Sequence, residues 1–299
     1  MSARLIQGKP VADEVRSALT TRIARLKARG VVPGLAVVLV GDDPASVSYV
    51  RGKERACAEL GIRSQEHRIA STTTELELIE LLHALNANND IHGILVQLPL
   101  PDGIDADRII STILPAKDVD GFHPVNLGRI MIGKPIFLPC TPRGILSLLS
   151  ASGTQLSGAH VVIVGRSRVV GLPLANMLLQ RNPEANATVT VCHRATRDLG
   201  TQTRGADVLI VAAGQPEIIR GTMVKKGAVV IDVGVNRISA PERSKGYRLV
   251  GDVAFDEVKE VAGAITPVPG GVGPMTIAML MQNTVEAAER ASEARGGAA

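Results

Sequence analysis

Short apolar runs recur along the chain and predict buried strands. They cover 35–41 and 93–99 in the first half, and 160–165, 188–193, 207–214 and 228–235 in the second. Runs that are apolar throughout, rather than alternating with polar residues, are typical of parallel sheets covered on both faces. We therefore predict a parallel sheet in each half of the chain.

Amphipathic segments lie between these runs and predict helices. The first follows apolar residues at helical spacing and ends at a glycine: Val11, Val15, Leu19, Ile23, Leu26 and Gly30. The other predicted elements are helices over 44–61, 74–87 and 104–112 and a strand over 67–70. The Pro- and Gly-rich stretch 115–142 is predicted to be irregular. A last helix is predicted to start at Pro274, a favourable first helical residue, and to end near Ala291.

The alternation of strands and helices predicts an α/β fold with two domains, because parallel strands need right-handed crossover connections. We assign residues 1–142 to an N-terminal α/β domain and 143–272 to a Rossmann-type parallel-sheet domain. The boundary falls near PCTPRG (139–144). The C-terminal helix, 273–294, follows the strands of the second domain, and we expect it to return to the first.

Composition and charge narrow the classes of function. With 45% hydrophobic and 21% charged residues, the chain is typical of a soluble globular protein. The net charge is only +4, and the sequence contains no block of Lys and Arg residues. Aromatic residues are too few to stack on successive bases, since the chain has three Phe, two Tyr and no Trp. We therefore expect no nucleic-acid partner. The uncharged segment 261–285 is interrupted by Pro267, Pro269 and Pro274, so we expect no membrane span.

The cysteines and the N-terminus indicate the compartment. Cys57, Cys140 and Cys192 are odd in number, far apart and without a C-x-x-C pair. This favours reduced thiols over disulfides or a metal site. The N-terminal residues MSARLIQGKPVADEV lack the apolar run of a signal peptide. We expect a cytoplasmic protein with no bound metal.

A glycine-containing turn in the second half predicts a dinucleotide site. In VVIVGRSRVVGLP (161–173), Gly165 follows a buried strand and Gly171 opens the next helix. Such a turn directs backbone N–H groups and a helix N-terminus towards a pyrophosphate. The middle glycine of the usual G-x-G-x-x-G pattern is replaced by Ser167, giving G-x-S-x-x-x-G. A purely structural turn is the alternative interpretation.

The end of the next strand favours NADP over NAD. NAD sites commonly carry Asp or Glu there, to bind the ribose 2′-hydroxyl. Here TVTVCHRAT (188–196) has Cys192-His193-Arg194 and no carboxylate. Arg194 and Arg166 can instead pair with a 2′-phosphate, because a guanidinium matches phosphate geometry. The alternative is that both are solvated surface residues. His193 is interpreted as a polar residue near the adenosine rather than a catalytic base.

A second group of candidate residues lies in the first half. Tyr49 and Lys53 are four apart on a predicted helix and share a face, which suggests a ring platform beside an amine. A half-buried tyrosine beside a surface lysine is the alternative. Gln97 is a polar residue at the end of an apolar strand, where α/β sheets face their ligands. A buried Gln with its hydrogen bonds satisfied is equally compatible with the sequence.

Two loops add further candidates. PAKDVDGFHP (115–124) contains Asp118 and Asp120, but no further ligands at a spacing typical of a metal site. One of these carboxylates is therefore expected to accept hydrogen bonds from ligand N–H groups. TPVPGGVGPMT (266–276) is a stiff loop whose glycines allow the backbone to approach a flat ligand closely.

The motifs together resemble a known family. VGDDPASVSYVRGKERACAELGI, GILVQLPLP, KDVDGFHPVN, PCTPRG, VGRSRVVGLP, CHRAT, AAGQP, IDVGVN and TPVPGGVGPMT occur in the order seen in bifunctional methylenetetrahydrofolate dehydrogenase/methenyltetrahydrofolate cyclohydrolases. The resemblance covers residues from about 5 to 290, and YVRGK and PGGVGPMT are its most specific segments. Arg194 departs from the many relatives that carry Ser after Cys-His.

The resemblance implies a one-carbon folate enzyme with a role in purine biosynthesis. Such an enzyme oxidises methylenetetrahydrofolate with NADP and then hydrolyses methenyltetrahydrofolate to 10-formyltetrahydrofolate. It implies that the first domain and the last helix bind folate, and that the middle domain binds NADP. It further implies a homodimer. We expect a bifunctional enzyme only, without the formate–tetrahydrofolate ligase domain that some relatives carry.

The resemblance also implies residue roles. Tyr49 would stack on the folate rings, Asp120 would bind the pterin edge, and Lys53 would be the acid–base residue of hydrolysis. Gln97 would position Lys53 and tune its proton affinity. Pro269, Gly270 and Gly271 would line the folate pocket. The residues implied for NADP are Gly165, Arg166, Ser167, Gly171, Arg194, Gly214 and Ile231.

Two other functions remain compatible with the residues. One is an NADP dehydrogenase acting on another small molecule, which would leave Tyr49, Lys53 and the 266–276 loop without a role. The other is a catalytically silent NADP-binding sensor or scaffold on the same fold. Intact Lys53, Gln97 and Asp120 argue against the silent alternative.

Overall fold

The computed structural model describes residues 2–242 and 246–296. In chain order its elements are β1 (Arg4–Leu5), α1 (Gly8–Ala28), β2 (Gly34–Val40), α2 (Pro44–Leu60), β3 (Arg63–Ile69), α3 (Glu75–Ala87), β4 (Gly93–Val96), α4 (Ala106–Thr112), α5 (Pro124–Met131), α6 (Cys140–Ala151), β5 (His160–Val164), α7 (Gly171–Leu178), β6 (Thr188–Cys192), α8 (Leu199–Arg204), β7 (Val208–Val211), β8 (Val229–Asp232), β9 (Asn236–Ser239), β10 (Tyr247–Val250), α9 (Phe255–Val258), β11 (Ala264–Ile265) and α10 (Val272–Gly296). A 3-10 turn, Gly221–Met223, lies between β7 and β8.

The chain divides into two compact units, and each is formed by two segments. The first unit comprises Asp13–Cys140 and the residues from Ile277 onward, and the second comprises the residues up to Ala12 and Thr141–Thr276. Both contain a parallel sheet with helices, so the predicted two-domain α/β fold is confirmed. None of the helices in residues 2–242 and 246–296 is long and apolar enough to cross a bilayer.

The first unit is built around a parallel sheet in the order β3-β2-β4. β2 lies in the centre and is buried at every position, which explains its uninterrupted apolar sequence. Leu78, Leu82 and Leu85 of α3 pack in the same apolar cluster as Ile109 of α4 and the alternate residues Ala36, Val38 and Val40 of β2. This packing holds the carboxyl ends of β2 and β4 at one edge of the sheet.

The C-terminal helix α10 completes the first unit, as predicted. Cys57 Sγ of α2 lies 3.5 Å from Met281 Sδ of α10. Further along, Arg22 of α1 donates hydrogen bonds from Nε and Nη2 to the two carboxylate oxygens of Glu289, at 2.9 and 2.5 Å. Apolar contact and ion pairing together attach the end of the chain to helices formed by its beginning.

The second unit contains a parallel sheet in the order β1-β11-β8-β7-β5-β6. β5, β7 and β8 lie inside this sheet and are largely buried. Their carboxyl ends meet at one edge, the position at which open α/β sheets bind their ligands. β9 and β10 form a separate antiparallel hairpin, with Asn236 opposite Val250.

The residues up to Ala12 belong to the second unit. The predicted first domain, 1–142, had included them. β1 pairs in parallel with β11, with Arg4 opposite Ala264 and Leu5 opposite Ile265. A strand of two residues has no detectable periodicity, so its partner could not be inferred from the pattern.

Other differences arise where polar side chains form local structure. The stretch predicted to be irregular contains helix α5, and His123 is the residue that caps its N-terminus. His123 Nδ1 accepts from the Val125 N–H at 3.0 Å, and Pro124 fits the first helical turn. β3 begins at Arg63 rather than at 67, because an edge strand tolerates polar residues that hide it from an apolar pattern.

Candidate functional site

Helix α2 carries Tyr49 and Lys53. Asp43 caps the helix, since its carboxylate accepts from the Ser46 N–H at 2.8 Å, and Pro44 occupies the first turn. Lys53 is only 6% exposed, whereas Tyr49 is 43% exposed. A buried amine therefore lies one turn from an accessible ring, and the alternative of a surface lysine is wrong.

Gln97 is the partner of this amine. It directly follows β4, and its backbone N–H donates to Val38 O at 2.8 Å. The Lys53 ammonium donates to Gln97 Oε1 at 2.9 Å, while Gln97 Nε2 donates to Leu98 O at 2.7 Å. The second bond orients the amide so that its oxygen faces Lys53.

The surroundings of Lys53 favour its neutral form. Burial lowers the pKa of the ammonium, and the nearby carboxylate of Asp120 opposes this effect only in part. Burial raises the pKa of the Asp120 carboxyl, and the charge of Lys53 lowers it. Lys53 and Asp120 are therefore close enough to influence each other's protonation. An amine with a lowered pKa next to an amide and a carboxylate can accept and return a proton during a reaction.

Asp118 has a structural role that distinguishes it from Asp120. Its carboxylate is 2% exposed and accepts from the backbone N–H groups of Gly121, Phe122 and His123, at 3.2, 3.2 and 2.8 Å. Nδ2 of Asn126 donates to the same group at 2.7 Å. Four donors occupy Asp118, so Asp120 is the carboxylate of this loop that can serve a ligand. No group of three or more His, Cys, Asp or Glu lies together as a metal site within the described residues.

Asn283 of α10 also supports the Asp120 loop and was not identified from the sequence. It is completely buried, and its Nδ2 donates to Val119 O at 2.7 Å and to Leu138 O at 3.0 Å. Cys140 Sγ donates to the same Val119 oxygen at 3.3 Å. An amide within an apolar helical stretch was the available signal, but its partners are far away in sequence.

In the second unit, the turn after β5 requires both of its glycines. Gly165 has a φ of +125°, and an added Cβ would overlap the carbonyl oxygen of Ala212. A Cβ on Gly171 would overlap the carbonyl oxygen of Gly165, so α7 starts in direct contact with the turn. The hydroxyl of Ser167 accepts from the Val170 N–H at 3.1 Å. These are the close approaches on which a dinucleotide turn depends.

The arginines predicted to select NADP follow neighbouring strands. β5 pairs with β6, and the Gly165 N–H donates to Cys192 O at 2.9 Å. Arg166 and Arg194 come directly after this junction and are exposed. His193 Nδ1 accepts from the Ala195 N–H at 3.2 Å, so this ring nitrogen is engaged in a local turn.

Ile231 lies in β8, and its side chain is completely buried. A contact between Ile231 and the cofactor would therefore be made by its backbone, and this contact stays a prediction. Gly214 lies in an exposed loop after β7 with a φ of +66°, which is compatible with the predicted cofactor contact.

The glycines of the 266–276 loop have different surroundings. Pro269 and Gly270 are exposed, and Gly270 O accepts from the Gly8 N–H at 2.8 Å. Gly271 is buried, and an added Cβ would lie 2.7 Å from Pro267 O. Gly271 is therefore required for packing, while Pro269 and Gly270 are available to a ligand.

The fold and these sites define a class of protein, a two-domain α/β oxidoreductase with an NAD(P)-binding unit and a separate buried lysine. Residues 6–120 match the model for the tetrahydrofolate dehydrogenase/cyclohydrolase catalytic domain, and residues 139–292 match the NAD(P)-binding domain of the same family. The chain belongs to the tetrahydrofolate dehydrogenase/cyclohydrolase family.

Individual relatives resemble the chain over nearly its whole length. It is 54% identical over 288 residues to the bifunctional protein FolD of Geotalea uraniireducens, covering 96% of this chain and 99% of that protein. FolD of Syntrophus aciditrophicus is 57% identical, and the match covers 96% of this chain and 98% of that protein. The crystal structure of FolD from Campylobacter jejuni has a TM-score of 0.91 and 48% identity, over 97% and 99%. The Trypanosoma brucei enzyme, complexed with NADP and an inhibitor, has a TM-score of 0.92 and 41% identity, over 97% and 98%.

Proposed function

We propose that the protein catalyses two successive reactions of one-carbon folate metabolism. It oxidises 5,10-methylenetetrahydrofolate to 5,10-methenyltetrahydrofolate with NADP, and then hydrolyses this product to 10-formyltetrahydrofolate. The observation that carries the proposal is the buried Lys53–Gln97 pair beside Asp120, in a chain whose other unit contains a dinucleotide turn. The family membership supports both activities.

The turn at Gly165 and Gly171 is as tight as a dinucleotide-binding turn requires, since a Cβ on either glycine would overlap neighbouring backbone, and this supports NADP as the ligand of the second unit. In this proposal Gly165, Arg166, Ser167, Gly171 and Arg194 hold it, with Gly214 and the backbone of Ile231 as further contacts. Bound NADP supplies the hydride acceptor of the first step. Removing a hydride from the bridging methylene leaves a cation shared between two nitrogens, so that step needs orientation but no protein base.

The hydrolysis step needs proton transfer. Water forms a bond to the methenyl carbon and loses both of its protons as it becomes the formyl oxygen. One of these protons ends on the nitrogen that leaves this carbon, and the other is released to solvent. Lys53 takes up and returns the proton, Gln97 Oε1 holds its Nζ in place, and Asp120 binds the pterin edge. Tyr49 stacks on the folate rings. The roles of Pro269, Gly270 and Gly271 in the folate pocket stay predictions.

One assay tests the proposal. The protein is mixed with methylenetetrahydrofolate and NADP, and the absorbance of NADPH and of the methenyl product are followed together. NADPH formation without lasting methenyl product supports both activities. Absence of NADPH would favour the silent sensor, and NADPH only with an unrelated substrate would favour another dehydrogenase. Neither alternative explains the Lys53–Gln97 pair.

The cofactor preference gives a separate prediction. Arg194→Ala is expected to weaken NADP binding roughly tenfold or more while changing NAD binding little, since a charge-assisted bond to the 2′-phosphate is lost. Dissociation constants for both cofactors, measured by calorimetry, test this. Arg220→Ala, an exposed arginine of the same unit paired with Glu257, is the control. Equal losses for NADP and NAD would reject Arg194 as the 2′-phosphate ligand.

We further propose a cytoplasmic homodimer with a role in purine biosynthesis and no nucleic-acid or membrane partner. The three buried free cysteines are compatible with a reducing compartment. Within the described residues β6 pairs only with β5, so its outer edge could accept a strand from a second copy. Light scattering of the purified protein would reveal its subunit number.

A further inference from the structure

The loop after β7 lies directly beside the dinucleotide turn. The Ala212 N–H donates to Val164 O at 2.7 Å, and the Ala212 carbonyl oxygen occupies the space that a Cβ on Gly165 would need. The loop continues into Gly214, which is exposed. A displacement of this loop would therefore change the surface against which a dinucleotide lies.

A buried carboxylate holds this loop from behind. Asp252, two residues after β10, is completely buried. Its Oδ2 accepts from the backbone N–H groups of Ala213 and Gly214, at 2.7 and 2.8 Å. Its Oδ1 accepts from Asn236 Nδ2 at 2.8 Å. The hydrogen bonds of Asp252 thus connect the loop to the β9–β10 hairpin.

These hydrogen bonds determine which way the loop carbonyls point. In a planar trans peptide the C=O is antiparallel to the N–H. Because the N–H groups of Ala213 and Gly214 both point to Asp252, the carbonyls of Ala212 and Ala213 point to the opposite side. The Ala212 oxygen lies against Gly165 on that side. The loop therefore presents acceptors towards the dinucleotide turn.

Asp232 holds Asp252 in turn. Its Oδ1 accepts from the N–H groups of Gly234 and Asp252, both at 3.0 Å, and its Oδ2 accepts from the Val253 N–H at 3.0 Å. A Cβ on Gly251 would overlap the Asp232 carboxylate, and one on Gly234 would overlap that of Asp252. The backbone is thus shaped around both carboxylates.

Two neighbouring buried carboxylates are costly for folding. Burial, reinforced by the charge of Asp252, raises the pKa of Asp232 to about 7. A neutral acceptor could bind the same N–H groups at a lower cost of desolvation. Asp252 is completely buried behind the loop that flanks the dinucleotide turn, so its hydrogen bonds to Ala213 and Gly214 bear directly on the position of that loop.

We propose that Asp252 is a positioning residue for the dinucleotide. It orients the Ala212–Gly214 loop so that the loop carbonyls accept hydrogen bonds from donors of the nicotinamide half, its carboxamide or ribose hydroxyls. Asp252 does not touch the cofactor itself. The inference rests on the proposed function, since it assigns the loop to the NADP site of the dehydrogenase.

Substitution of Asp252 separates this role from a general effect on folding. In Asp252→Ala the two loop N–H groups lose their acceptor, and we expect the Kd and KM for NADP to rise about tenfold or more. In Asp252→Asn the amide oxygen still accepts, but without charge, and we expect an increase of about threefold. Hydrolysis of added methenyltetrahydrofolate needs no NADP and should keep its wild-type rate in both variants.

Asp256→Ala is the matched control, because Asp256 is a highly exposed acid four residues away that forms an ion pair with Lys259. Its Kd for NADP should be that of the wild type. Wild-type Kd for NADP in Asp252→Ala, or an equal fall of both activities, would overturn the proposal. If Asp252→Ala does not fold, Asp252→Asn decides: a raised Kd with normal hydrolysis supports the role, and an unchanged Kd rejects it. Calorimetry measures Kd without turnover, and a wild-type protein that binds NADP but forms no NADPH would contradict the proposed function instead.

Discussion

Lys53→Met is expected to lower the rate of methenyltetrahydrofolate hydrolysis by about 10²- to 10⁴-fold, the usual contribution of a positioned acid–base group. Methionine has a similar length but cannot carry a proton. Oxidation by NADP needs no base, so the variant should still form NADPH, and methenyltetrahydrofolate should accumulate. Stopped assays of the two products measure both effects in the same mixture.

Lys134→Met provides the control, since Lys134 is an exposed lysine of the same unit. It should hydrolyse the methenyl substrate at the wild-type rate. Folate and NADP should still bind to the Lys53 variant, as measured by calorimetry. Wild-type hydrolysis by Lys53→Met would show that another group transfers the proton.

The pH dependence of hydrolysis should report the same residue. Burial lowers the pKa of Lys53, so its neutral form becomes available below the ordinary range of a lysine. A neutral lysine acts as the base, and the rate should therefore fall as the pH is lowered through this pKa. The pH profile of the wild type, corrected for spontaneous hydrolysis, should show this inflection and that of Lys53→Met should not. Identical profiles would contradict the assignment.

Gly165→Ala should have the largest effect on the NADP-binding unit. A methyl group at a φ of +125° is strained and would also overlap the Ala212 carbonyl, so we expect a loss of roughly 3–5 kcal/mol in the free energy of unfolding. NADP binding should be lost together with the turn. Thermal denaturation and calorimetric titration with NADP measure the two effects.

Gly158→Ala separates strain from overlap. Gly158 has a φ of +76°, but an added Cβ would meet nothing within 4 Å. That variant should lose only about 1 kcal/mol, the cost of the left-handed conformation. Similar losses in Gly158→Ala and Gly165→Ala would mean that the close approach of the Ala212 carbonyl is unimportant.

Much of the fold could be predicted because it depends on local patterns. Continuous apolar runs marked β2, β4, β5, β7 and β8, since strands inside a covered parallel sheet admit few polar residues. β1 and the β9–β10 hairpin were missed for the opposite reason: they are short or polar, and their pairing is determined by distant parts of the chain.

Residues of the candidate site could be predicted where a reactive or polar side chain also stands at a recognisable position in a helix or strand. Tyr49 and Lys53 are one helical turn apart, and Gln97 stands out at the end of an apolar strand. The different roles of Asp118 and Asp120 could not be separated from the sequence, because the four donors to Asp118 are visible only in the folded loop. Asn283 and Asp252 act through backbone atoms of distant segments, and residue type alone does not reveal such contacts.

The order of the segments has a consequence for synthesis and for engineering. Each unit takes its main body from one continuous segment and a final piece from elsewhere: β1 is translated long before β11, and α10 long after α2. A nascent chain that has just passed Cys140 can therefore complete neither unit. A protease cut at that boundary would yield one fragment without α10 and another without β1, rather than two single-activity enzymes, and a stop codon there would leave only the first fragment. To separate the activities, a designer would have to rejoin 13–140 to the C-terminal helix with a new linker, and treat the other unit in the same way.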